Sequence, residues 1–88
     1  MVTVYELIFT ETALRQYERL DPRLRHQVDR GLERIAADPR RGKALGGEWK
    51  GIRSERVATY RILYKAFDRT IKVLILVIGH RKSVYGGH

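Results

Sequence analysis

The chain has 88 residues, enough for one domain spanning 1–88 and too few for separate cofactor and substrate domains. Hydrophobic residues make up 43% and charged residues 32%, a globular mix, and the absence of cysteine excludes a disulfide scaffold, a thiolate zinc site and a catalytic thiol. Eighteen Lys and Arg against ten Asp and Glu give a net charge of +8, which points to a polyanionic partner.

Val2 to Phe9 alternates Tyr5, Leu7 and Phe9 with Val4, Glu6 and Ile8, and reads as a strand. Thr10 is placed to cap a helix, with Glu11 favourable in its first turn. Ala13, Leu14, Tyr17 and Leu20 share one face of that helix. Asp21-Pro22 starts a second helix, as an N-cap followed by proline at the first helical position. Leu24, Val28, Leu32 and Ile35 form its apolar stripe, and Arg23, Arg30 and Arg34 point elsewhere. The helix stops at Asp38-Pro39, because a residue before proline avoids the helical region. The charged faces of both helices mix Arg with Asp and Glu and read as plain solvated surfaces.

Pro39 to Gly47 is a basic loop. A short strand is expected over Trp49–Arg53 and a strong one over Val57–Phe67, with Tyr60, Ile62 and Tyr64 on one face and Arg61 on the other. Asp68-Arg69 is a turn. Ile71–Ile78 is almost wholly apolar and β-branched, hence a central strand ended by Gly79. Gly86-Gly87-His88 is expected to fray. The fold expected is α+β in two layers. An N-terminal strand and an α-helical hairpin precede a three-stranded antiparallel meander, in a four-stranded sheet.

The charge is not evenly spread. Residues 1–38 hold six Arg and seven acids, a net of −1, whereas residues 39–88 hold twelve Lys and Arg and three acids, a net of +9. That asymmetry fits nucleic acid or an acidic protein. The apolar run Val73–Ile78 falls far short of the roughly 18 residues that span a bilayer. No basic-then-apolar leader opens the chain, so the cytoplasm is the expected compartment and no membrane partner is expected.

The usual catalytic constellations are missing. His26, His80 and His88 lie in no metal-binding spacing, and no metal or cofactor is expected. Gly42, Gly46, Gly47 and Gly51 form no phosphate-binding loop before a helix, and Ser54 and Ser83 lie in no nucleophile elbow. What remains is arginine on strands. Arg53 and Arg56 stand at a strand entrance, Arg61 lies inside a strand, and Arg81 and Lys82 follow the central one. A guanidinium offers a planar fork of donors suited to phosphate and keeps its charge. Tyr85 can stack on a base or exchange a proton.

The stretch Gly51-Ile52-Arg53-Ser54-Glu55-Arg56-Val57-Ala58-Thr59-Tyr60-Arg61-Ile62-Leu63-Tyr64 resembles the strand segment of RelE-type toxins of the RelE/ParE toxin–antitoxin superfamily. The close Val77-Ile78-Gly79-His80-Arg81-Lys82-Ser83-Val84-Tyr85 is similar to that of the same family, as are Leu20-Asp21-Pro22, the Asp38-Pro39 stop and Gly42-Lys43 with Leu45. The resemblance covers residues 4–85. It implies a toxin of a type II module, a metal-independent endoribonuclease that enters the ribosomal A site and cuts mRNA, inhibiting translation.

By matching position, the resemblance makes Arg61, Arg81 and Tyr85 catalytic. Arg61 would hold the scissile phosphate, Arg81 would stabilise its transition-state charge, and Tyr85 would stack or move a proton. Arg56 would neutralise the neighbouring backbone, and Arg53, Lys50, His80 and Lys82 complete the RNA-binding set, His80 being either a substrate contact or a structural residue. Positions where some members carry lysine are Ile52 and Ser54, and the usual Gly-Asp before Tyr60 is Ala58-Thr59. The implied partners are a cognate acidic, RelB-like antitoxin, mRNA on the ribosome and rRNA. The alternatives are a ParE-like DNA gyrase inhibitor, against which Arg81 with Tyr85 argues, and a catalytically inactive RNA- or antitoxin-binding member.

Overall fold

In a computed structural model, which describes residues 3–80, the helix start and stop signals at Thr10, Asp21-Pro22 and Asp38-Pro39 act where the sequence places them. Strand β1 (Glu6–Phe9) leads directly into helix α1 (Glu11–Glu18). The Thr10 hydroxyl accepts from the Ala13 N–H at 3.0 Å, satisfying one of the donors a helix start leaves open. Helix α2 (Pro22–Ala37) begins with Pro22 in its first turn, and the Asp21 carboxylate accepts from the Leu24 N–H at 2.9 Å. Asp38 caps its C-terminal end before Pro39.

Five strands form one sheet in the order β1-β5-β4-β3-β2, where β2 is Lys43–Ala44, β3 Arg53–Val57, β4 Tyr60–Phe67 and β5 Lys72–His80. The α+β class and the β3-β4-β5 antiparallel meander agree with the sequence reading, but the sheet has five strands rather than four. Lys43–Ala44 adds the fifth by pairing with Ser54 and Arg53. The short strand expected over Trp49–Arg53 is a 3-10 turn, Gly47–Trp49, and pairing starts at Arg53. The expected long strand starts only at Tyr60, because Ala58 and Thr59 form the turn between β3 and β4. Gly79 does not end β5, which pairs through His80 opposite Tyr60. β1 is shorter than the expected Val2–Phe9 and runs parallel to β5. The two helices therefore carry the chain from one edge of the sheet to the other.

Both helices lie on one sheet face. Ala13, Leu20, Val28, Leu32 and Ile35 meet Val57, Ile62, Tyr64, Val73, Ile75 and Ile78 in one buried core. Strict alternation cannot place Val73, Ile75 and Ile78 on one side. A bulge resolves this: Leu63 pairs with Val77 and Tyr64 with Ile75, so Leu76 is left over and the pleat changes phase. Tyr64 is wholly buried and pins the basic loop. Its hydroxyl donates to the Pro39 carbonyl at 2.7 Å and accepts from the Gly42 N–H at 3.1 Å.

Candidate nucleic-acid interface

The β3-β4 hairpin closes through Val57 opposite Tyr60, and Ala58 turns the chain at φ +54°. That region is costly for a residue with a Cβ and is occupied routinely only by glycine and asparagine. One step inside the turn, Arg56 stands directly opposite Arg61, and Arg61 in turn opposite Gly79. Directly opposed residues share a sheet face. This row alternates with Val57-Tyr60-His80 and with Glu55-Ile62-Ile78, which face the helices. Arg56 and Arg61 therefore occupy the face away from the helices, termed the open face although Leu63 and Ser54 on it are buried.

β2 pairs only with Arg53 and Ser54, so among the described residues the end of β3 carrying Arg56 is a free edge, and Arg56 is exposed. Gly79 puts no side chain beside Arg61. No hydrogen bond or ion pair ties either guanidinium to another described residue. Like charges directly opposite are destabilising, so stability does not explain the pair. Lys43, opposite Ser54, and Lys65, opposite Leu74, add charge to the same face. A guanidinium keeps its proton at any ordinary pH. The surface can thus hold a phosphodiester in a fixed place and stabilise added charge on it.

The other expected site residues fall in three places. Arg53 faces the loop, and its guanidinium donates to the carbonyls of Arg40 and Gly42 at 3.2 and 2.8 Å. Lys50 is exposed just after the 3-10 turn, its N–H bonded to the Gly47 carbonyl. His80 ends β5 on the helix side, its ring edge-on to Tyr60 at 5.8 Å, beside a hollow of about 240 Å³ shared with Gln16 and Arg19. Arg81, Lys82 and Tyr85, like the tail 86–88, lie outside the described residues.

Sequence reasoning missed the groups that hold this frame. β1 pairs with β5 only as far as Ile75. Beyond it α1 supplies the partners: the Thr10 N–H donates to the Ile75 carbonyl at 3.0 Å and its hydroxyl to the Leu76 carbonyl at 2.9 Å. The Gln16 side chain accepts from the Ile78 N–H at 2.7 Å. On the other side, the Glu55 carboxylate is buried between Arg34 and Arg41, at 3.4 Å from each Nε, and ties α2 and the loop to β3. No spacing rule announces contacts that span so many residues. Burial, above all, raises the Tyr64 hydroxyl pKa, and the neighbouring Glu55 and Asp38 add to the rise.

This two-layer frame with a guanidinium pair on the open sheet face defines a small basic toxin of the RelE/ParE type. Residues 7–85 match the family described as ParE toxin of the type II toxin–antitoxin system parDE, and the chain belongs to this RelE/ParE superfamily of toxins. It is 39% identical over 83 residues to Toxin RelG of Mycobacterium tuberculosis strain H37Rv, covering 92% of this chain and 95% of that one. Its fold is similar to the crystal structure of the RelBE2 toxin–antitoxin complex from the same organism, with a TM-score of 0.83 and 36% identity over 92% of this chain and 95% of the other. The isolated RelE toxin of E. coli superposes with a TM-score of 0.75 at 25% identity, over 86% of this chain and 83% of that chain.

Proposed function

We propose that this toxin is a metal-independent, ribosome-dependent endoribonuclease that cuts mRNA in the A site. The observation that carries the reading is the Arg56–Arg61 row beside Gly79 on the open sheet face, neither guanidinium being paired among the described residues. In the reaction, a 2′-oxygen of the mRNA bonds to the adjacent phosphorus and the bond to the 5′-oxygen breaks. The 2′-oxygen loses a proton and the departing 5′-oxygen gains one, leaving a 2′,3′-cyclic phosphate and a 5′-hydroxyl. Arg61 holds the scissile phosphate and Arg56 the neighbouring backbone. Arg81, which follows His80 in the sequence, stabilises the charge of the pentacoordinate phosphorus, and Tyr85 stacks or moves a proton. Catalysis of this kind rests on positioning and electrostatics.

An acidic antitoxin is the second partner. The crystal structures of relatives in toxin–antitoxin complexes and the net charge of +8 support it. A disordered acidic segment that folds on this basic surface would cover the site.

The match to a family described by ParE favours one second reading, a DNA gyrase inhibitor on the same fold. Induced expression in a bacterium, with transcript 5′ ends mapped before and after induction, separates the two. New ends inside translated codons, lost in Arg61→Ala, are the expected result. Growth arrest without new ends, together with inhibited supercoiling by purified gyrase, would replace the nuclease reading.

A further inference from the structure

Arg23, Gln27, Arg30 and Arg34 follow one another at spacings of four, three and four, so they form one stripe along α2. The opposite stripe, Val28, Leu32 and Ile35, is buried against the sheet. Between them Gly31 lets α2 come unusually close to the hairpin, for a Cβ there would lie 2.6 Å from Val57 Cγ2. That approach brings the basic stripe beside the free edge of β3. The result is a cleft of about 380 Å³ lined by Gln27, Arg30, Arg34, Arg56, Val57 and Ala58.

The helix faces were read above as mixed and solvated; this stripe is solvated, with Arg23, Gln27 and Arg30 exposed, but no acid interrupts its arginines. Arg30 and Arg34 are a like-charged i, i+4 pair, and Arg56 adds a third guanidinium from the hairpin. Glu55 is the carboxylate that reaches this group, and it is divided between Arg34 and Arg41. Of the acids of α2, Asp29 receives the Tyr17 hydroxyl at 2.6 Å and Glu33 lines the separate groove beside Leu7 and Phe9. Arg30 and Arg56 make no hydrogen bond or ion pair with another described residue. Two like-charge juxtapositions, Arg30 with Arg34 and Arg56 with Arg61, thus meet at the strained Ala58 turn. Strain and uncompensated charge that persist together mark a binding site rather than a stability device.

We propose that this cleft is a second phosphate subsite, which takes a backbone phosphate of single-stranded RNA next to the one held at Arg61. The inference rests on the RNA-directed reading above. Arg56 belongs to both places, so one strand can run from the open sheet face round the hairpin edge onto α2. The cleft presents three guanidinium groups and the Gln27 amide, and no carboxylate stands among its lining residues, which favours a phosphodiester over an arginine-bearing or apolar protein surface.

The test is binding of a short fluorescein-labelled single-stranded RNA, 2′-O-methylated throughout so that it cannot be cut, measured by anisotropy across a range of KCl concentrations. Arg30→Gln is expected to weaken binding roughly threefold to tenfold and to flatten the slope of log K against log salt by about 0.7, the value of one phosphate contact on a single strand. Arg69→Gln, a change of equal charge at the far turn, is expected to leave both nearly unchanged. Equal effects of the two variants would overturn the subsite. So would an Arg30→Gln variant that loses affinity for a poly-glutamate peptide and keeps its RNA slope, since the cleft would then serve a protein. If Arg61→Ala abolishes mRNA cleavage and Arg30→Gln leaves the slope intact, the nuclease reading survives and the subsite falls. If the wild type cuts no mRNA yet binds the oligonucleotide with an Arg30-dependent slope, the reverse holds. A wild type that does not bind the RNA overturns the subsite, and cleavage on programmed ribosomes then decides the nuclease reading by itself.

Discussion

Arg56 and Arg61 face each other across the β3-β4 ladder as a like-charged pair, and neither has a partner among the other described residues. Replacing Arg61 by Thr removes the repulsion and adds a residue that suits a strand, so the fold is expected to gain about 0.2–1 kcal/mol. The same change is expected to lower cleavage on programmed ribosomes by about 10²–10³-fold, as loss of one transition-state contact does. Thermal melting and single-turnover cleavage of one preparation check both signs together.

Gln16 holds the end of β5 from the neighbouring helix, through the Ile78 N–H. Gln16→Leu leaves that buried donor unpaired, at a cost of about 1–3 kcal/mol. Because the loss is local to the strand end before His80, amide exchange is expected to rise at Ile78 more than at Val73. Uniform loss of protection along β5 would show that Gln16 does not act locally.

Gly31 is a helix-interior glycine whose replacement by Ala should stabilise a free helix by about 1 kcal/mol. Here the sign reverses. The new Cβ would meet Val57 Cγ2 at 2.6 Å, and a β-branched side chain packed in the core cannot turn aside. Gly31→Ala is expected to destabilise by about 1–3 kcal/mol, read as a lower midpoint in urea.

Ala58 occupies the left-handed region at φ +54°. Ala58→Gly relieves that strain, offset in part by the greater freedom of glycine in the unfolded chain, for a net gain of up to about 1 kcal/mol. For a domain of this size 1 kcal/mol corresponds to a Tm shift of roughly 4–8 °C. Calorimetry showing no rise would place the strain elsewhere in the turn.

The Tyr64 hydroxyl titrates above its ordinary value of 10.0, chiefly because it is buried. Its folded-state pKa exceeds the unfolded one, so the stability it contributes is complete below about pH 10 and lost as pH rises through the folded value. Tyr5 and Tyr17 shift the same way, chiefly through their hydrogen bonds to Asp68 and Asp29. Tyr64→Phe is therefore expected to lower stability at neutral pH, by freeing the Gly42 N–H and the Pro39 carbonyl, and to flatten part of the alkaline loss. Urea titrations at neutral and alkaline pH separate the two effects.

Local chemistry made much of this legible without a structure. The Thr10 and Asp21 caps, the Pro22 start and the Asp38-Pro39 stop lie where their side chains and ring constraints demand. Arg61 opposes the Tyr60 and Tyr64 face because a strand alternates. Arg53 shows where the reading ran short. Its position in the sequence marks it as a charge near a phosphate, and only the folded loop shows its guanidinium turned to the carbonyls of Arg40 and Gly42.

The amino-acid sequence by itself determined the helices, the apolar β5 and the charge asymmetry, since caps, periodicity and residue type act within a few neighbours. Tertiary structure alone decided the pleat phase of β5. Strict alternation from Ile75 would turn Gly79 towards the helices, and the bulge at Leu76 sends it to the open face beside Arg61. It also decided that Gly31 would admit α2 onto Val57, and so that Arg30 and Arg34 would join Arg56. A bulge answers the packing of a whole helix layer on a sheet, and a close approach needs both surfaces present, so neither is written in any short stretch of chain.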